Sequence, residues 1–122
     1  MQATHKPPPR VWIGHWLMFV AFAHTLVACI LFGPALLQVL ERGVFNTVGR
    51  DPGTQVAVWF VIAGAVLALL AYAITALERG QQFAALRKLG AGILALSVLG
   101  IVLMPTSGFW LVVPAAISLL RR

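Results

Sequence analysis

The sequence predicts an all-α membrane protein with four transmembrane helices, the last two forming a short hairpin. Three observations lead there. Apolar residues make up 61% of the 122 positions and charged residues only 10%. The charged residues stand between and beyond long apolar runs instead of inside them. The basic ones gather on alternate links between the runs. A soluble domain of this size could not hide so much apolar surface, and the length allows one domain only.

The charge pattern also narrows the partners. Nine Lys and Arg against three Asp and Glu give a formal charge of +6, which in a soluble chain would raise nucleic acid as a partner. Confined to the ends of apolar runs, these cations read instead as orientation signals facing anionic lipid, so the bilayer is the expected partner and nucleic acid is not. The single Cys29 excludes an intrachain disulfide and a cysteine-rich metal cage.

Residues 1–10, "MQATHKPPPR", form a polar tail whose three successive prolines favour an extended polyproline conformation. Residues 11–32 are the first span, with His15 and His24 as its only acid–base side chains of note. At ~1.5 Å per residue such a run reaches ~33 Å as a helix, enough to cross the hydrocarbon core. "LVAC" within it resembles the end of a lipoprotein leader, but the apolar character continues past Cys29 through "ILFGPALL".

Residues 33–55 are an outer loop. Pro34 can open a helical turn, and Leu36, Leu37, Leu40 and Val44 fall opposite Gln38, Glu41 and Arg42, which predicts a short interfacial helix after the first span. "NTVGRDPGT" is turn chemistry, with Thr54 offered as the cap of the next helix. Residues 56–77 are the second span, and residues 78–88 are a cytoplasmic link in which Glu78 and Arg79 read as an exposed boundary pair.

Residues 89–120 hold no charged side chain at all. One straight helix of that length would reach ~48 Å, well beyond a ~30 Å hydrocarbon core. Pro105 removes a backbone donor in the middle, so the run is expected to fold back as a third span over 89–104 and a fourth over 105–120. Thr106 or Ser107 can cap the returning helix. Placing the tail, the second link and the C-terminal end on one side collects Lys6, Arg10, Arg79, Arg87, Lys88, Arg121 and Arg122 there, against Arg42 and Arg50 opposite. Both termini are therefore expected in the cytoplasm.

The segments "WIGHWLMFVAFAHT", "AVWFVIAGAVLALLAYAI" and above all "LGIVLMPTSGFWLVVPAAISLL" resemble a family of small bacterial four-helix membrane proteins classed as a domain of unknown function. The "MPTSGFWLVVP" turn and His24 are its most specific elements, and the similarity runs along nearly the whole chain. The resemblance implies a multi-pass protein of the bacterial inner membrane and no particular activity.

Among side chains that could carry chemistry, His24 comes first, because a polar group near the middle of a span is expected to face protein or water. Ala21, Thr25 and Ala28 make a small-residue patch around it that lets another helix approach. Two readings stand: a proton-handling or ligand site, or a neutral histidine bonded across helices to Ser97, Tyr72 or a backbone carbonyl. His15 is nine residues earlier and on another side of the helix, so the pair cannot grip one ion within the chain. No second His, Cys or carboxylate stands one turn from His24, which argues against zinc, and the other spans supply no histidine for haem.

Ala57, Gly64 and Ala71 in the second span, and Gly90, Ser97 and Gly100 in the third, form packing stripes. Pro105, Ser107, Gly108, Trp110 and Pro114 are the turn and packing residues of the last hairpin, with Pro114 expected to kink the last helix. No carboxylate pair or nucleophile beside a histidine suggests an enzyme. The residues thus predict a small helical subunit, accessory or interaction protein, acting with copies of itself or with another membrane protein and needing no cofactor. The alternatives are a small transporter or pore with His24 as its protonatable centre, and a redox or quinone-binding protein, with quinone or haem as ligand.

Overall fold

A computed structural model describes residues 10–49 and 51–122. Residues 1–9 of the expected polyproline tail and Arg50 therefore lie outside the described residues. Among those described, the chain is all helical: α1 (Ile13–Glu41), α2 (Pro52–Arg79), α3 (Phe83–Leu103), a 3-10 turn at Gly108–Leu111, and α4 (Val113–Leu120). Three of these, α1, α2 and α3, are long and apolar enough to cross a membrane.

α1 does not stop where its first apolar run ends. It continues through Gly33 and Pro34 to Glu41, with a break in helical geometry at Phe32 (φ −116°, ψ 15°). The cause is Pro34, which has no N–H for the Ile30 carbonyl and whose ring crowds that turn. The apolar stretch expected as a separate interfacial helix is thus the bent end of α1. The loop that follows turns through left-handed backbone at Gly43, Val44, Asn46 and Gly49.

α2 starts differently from the sequence expectation. Asp51, and not Thr54, is its cap: one carboxylate oxygen accepts from the Thr54 amide at 3.0 Å and from the Thr54 hydroxyl. The Thr54 hydroxyl and amide hold the Asp51 carboxyl below the usual carboxylate range. Pro52 in the first helical turn costs nothing there, since its missing N–H would be unpaired anyway.

α1 and α2 pack antiparallel along most of their length, and the reason is a repeat of small residues. Gly14, Ala21 and Ala28 on α1 and Ala57, Gly64 and Ala71 on α2 are all buried, each set spaced by seven residues. A seven-residue repeat keeps one seam facing its partner. Gly14 lies against Ala71 and Thr75, and Gly64 against Ala21, His24 and Thr25, so the two seams meet in opposite directions.

α3 and α4 form the second pair. The α3 seam is Leu86, Gly90, Ile93, Ser97 and Gly100, all buried. Gly90 meets Ala116 and Leu119, and Gly100 lies under the Phe109 ring, so the chain returns along α3 after the turn at Met104–Ser107. That return is only partly regular helix. A 3-10 turn precedes α4, and Pro114 stands in the first turn of α4 instead of kinking a continuous helix. The Ser107 hydroxyl caps nothing; it is buried without a partner among the described residues. The two pairs meet through a core that includes Ile13, Leu17, Ile74, Leu86 and Leu119.

The glycine contacts make the packing testable. A Cβ on Gly14 would stand 2.7 Å from the Thr75 backbone nitrogen and 2.8 Å from the Ala71 carbonyl oxygen, atoms that cannot rotate away. Gly14→Ala is expected to lower stability in detergent by about 1–3 kcal/mol through overpacking. Gly92 has open space at the same position, so Gly92→Ala is expected to be neutral or to stabilise by up to about 1 kcal/mol. Thermal unfolding of the two variants side by side checks both.

Candidate functional site

Two places along the α1–α2 seam hold polar side chains that bond across helices, one inside it and one at its end. Inside the seam, His24 projects from α1 towards α2, and its Nε2 lies 2.9 Å from the Phe60 carbonyl oxygen. A carbonyl can only accept, so Nε2 carries the hydrogen and donates it. The imidazole also stacks flat on the Phe60 ring, with centroids 4.0 Å apart and planes 6° from parallel. Gly64 makes this possible: it stands one turn beyond Phe60, and a Cβ there would come within 3.1 Å of His24 Cδ2. The absent side chain opens the carbonyl to the ring.

The other polar residues expected beside His24 do not join it. Thr25 donates its hydroxyl to the Ala21 carbonyl at 3.0 Å, a turn back on its own helix. Ser97 does the same to Ile93 at 2.7 Å. Tyr72 is 71% exposed on the outside of α2. Among the described residues no hydrogen bond links His24, Thr25, Ser97 and Tyr72 to one another. His15 is exposed. Nor do three His, Cys, Asp or Glu side chains gather anywhere in the described chain as a metal site would require.

In the last hairpin, the Pro105 carbonyl accepts the Trp110 indole N–H at 2.9 Å, which closes the turn. Pro114 offers its carbonyl to the Ser118 hydroxyl at 2.8 Å. Gly108 opens the 3-10 turn, and the carbonyl of Leu111 at its end accepts the Trp16 indole N–H at 2.8 Å, tying this arm to α1.

The second polar place was not expected from the sequence. Glu78 is no exposed boundary residue: it is 3% exposed, while Arg79 beside it is exposed. Its carboxylate accepts from the Gly14 amide at 2.7 Å and from the Trp12 amide at 3.3 Å. It also pairs with the Arg122 guanidinium at 2.9 Å. Arg122 donates in addition to the Arg10 carbonyl.

The chemistry of this cluster follows from its parts. The first amides of α1 have no intrahelical acceptor, and Trp12 offers no side-chain cap. A carboxylate at a helix N-terminus satisfies those donors and meets the positive end of the helix dipole. Arg122 balances the charge that burial would otherwise penalise. The signal in the sequence was the spacing: Glu78 continues the Ala57, Gly64, Ala71 repeat by one more step of seven. The buried seam therefore ends on an acid.

Breaking this cluster is expected to cost more than breaking an exposed pair. Glu78→Ala leaves two amides and Arg122 without their acceptor, with an expected loss of about 3 kcal/mol. Arg122→Ala is expected to cost less, because the α1 amides still hold the carboxylate. A double-mutant cycle followed by unfolding in detergent should return a coupling of about 1–2 kcal/mol, whereas additivity would show that the pair contributes nothing.

The comparisons with known proteins assign a family and no activity. No curated protein and no solved structure matches the chain. The model of a family of unknown function, DUF6463, matches residues 8–122, and so spans both helix pairs, His24, Glu78 and the final turn. The chain belongs to this family of unknown function.

Proposed function

We propose that this protein is a four-span protein of the bacterial inner membrane that works as a small helical subunit or accessory protein, through packing with a second copy or another membrane protein. Both termini lie in the cytoplasm in this reading. The observation that carries it is where the polar side chains of the spans point. His24, Thr25, Thr75, Ser97 and Ser118 each bond to a backbone carbonyl of the chain itself. Only the His24 bond crosses between helices; the four hydroxyls are engaged one turn back on their own helices, which supports a packing role over a path for an ion or a solute.

The outer surface points the same way. Phe22, Ile30, Leu31, Leu69, Val102 and Leu103 are each more than 60% exposed, a surface suited to lipid or to another apolar helix. The fourth crossing rests on the return of the last arm. Arg122 comes back to Arg10 and Glu78, so the chain's end and the start of α1 share one end of the molecule. That end also carries Arg79, Arg87 and Lys88, which favours the cytoplasmic side.

Two measurements test the reading. In liposomes with an imposed pH gradient, the wild type and His24→Ala are expected to dissipate it no faster than protein-free vesicles. His24→Ala should meanwhile lose about 1 kcal/mol of stability, the size of an interhelical hydrogen bond in a membrane. A proton or solute flux that disappears in His24→Ala would instead make the protein a transporter. For topology, a fluorescent protein fused to either terminus should fluoresce, and alkaline phosphatase inserted in the loop after α1 should be active. Phosphatase activity from a fusion after Arg122 would remove the fourth crossing.

A further inference from the structure

Where the start of α1 meets the end of α4, the structure leaves a cleft of about 220 Å³ lined by Trp12, Ile13, Ser118, Arg121 and Arg122. Its composition is uneven in a useful way. Ile13 is fully buried and forms the floor, whereas Trp12 and Arg121 are exposed at the rim. Arg122 is fixed in place by Glu78 and the Arg10 carbonyl, so one guanidinium wall is preorganised.

We infer that this cleft binds the headgroup of an anionic phospholipid. Two arginines converge on a space with an indole and an aliphatic floor, which suits a phosphate attached to a glycerol and the start of an acyl chain. Arg offers several N–H donors in a planar fork that matches phosphate oxygens, and an interfacial tryptophan favours the boundary between headgroup and hydrocarbon. Glu78 and Arg122 neutralise each other, so Arg121 supplies the net positive charge of the cleft and Arg122 adds N–H donors in a fixed orientation. The neighbouring side chains Arg10 and Arg79 add positive potential at the same end.

The inference rests on the membrane reading above only in requiring a bilayer, and a detergent-solubilised sample tests it without reference to topology or to a protein partner. Native mass spectrometry of the full chain with equal amounts of phosphatidylglycerol and phosphatidylcholine is expected to show preferential retention of phosphatidylglycerol. Arg121→Gln removes the rim cation without touching the Glu78 cluster, and it should cut that preference about five-fold, as expected for one interfacial arginine. Arg87→Gln, exposed on α3 and outside the cleft, should leave it unchanged. Equal uptake of the two lipids would overturn the inference. So would equal losses in the two variants, which would mean a diffuse basic surface. Displacement of the lipid by millimolar inorganic phosphate would likewise overturn it, by showing a site for free phosphate.

Discussion

The first amides of α1 need an acceptor, and the arrangement of the whole chain follows from where they find it. The Gly14 amide is buried, and a buried donor left without a partner costs about 1–3 kcal/mol. Trp12 supplies no cap, so the acceptor comes from the next helix as the Glu78 carboxylate. Once Glu78 is bound to Gly14, the alignment of α1 against α2 is set. Steps of seven back from Glu78 bring Ala71, Gly64 and Ala57 along one seam, facing Gly14, Ala21 and Ala28 on the other. One electrostatic contact at the end and a run of small residues along the seam therefore specify the same register. Agreement between such different kinds of signal is what singles out one structure.

The price of placing a carboxylate there is its charge, and the last residues meet it. Arg122 reaches Glu78 only because the chain turns at Met104–Ser107 and comes back along α3. The return is short, with eight residues of α-helix after a four-residue 3-10 turn. Its attachment is correspondingly distributed. The Phe109 ring lies over Gly100, Trp16 bonds the Leu111 carbonyl, and Ala116 and Leu119 close over Gly90. A segment too short to be stable alone is held at several points along its length.

Much of this was legible in the sequence, and the exceptions have physical reasons. The three long helices follow from apolar runs bounded by charges, and the buried stripes of α2 and α3 were visible as recurring Ala, Gly and Ser. Pro34 misled because proline suits the first turn of a helix as well as a bend, and only the packing of α1 decides between them. Thr54 has the residue type of a cap, but Asp51 precedes Pro52 with an extended backbone, from which its carboxylate accepts the amide of Thr54 three residues on. Beside its neighbour Arg79, Glu78 has the pattern of an exposed charge pair. Read with Ala71, seven residues earlier, it falls on the buried seam. The expected grouping of Ser97 and Tyr72 with His24 failed for a related reason: each lies on its own helix face, and only Ser97 turns inward.

Where polar groups end up bears on what such a chain can do. A transport path needs side chains that exchange partners with a passing ion or solute, whereas a hydroxyl bonded to the carbonyl one turn back is already engaged within its own helix. Thr25, Thr75, Ser97 and Ser118 are all of this second kind. His24 differs, since its bond crosses between helices and its ring is stacked on Phe60. Moving it would disturb both contacts and open the seam at Gly64, so its position couples the histidine to helix packing. Glu78 shows the same economy at the end of the seam, where one carboxylate serves two amides and an arginine. The polar contacts that cross between helices therefore include those of His24, Glu78 and Trp16, while the hydroxyls of Thr25, Thr75, Ser97 and Ser118 stay within their own helices.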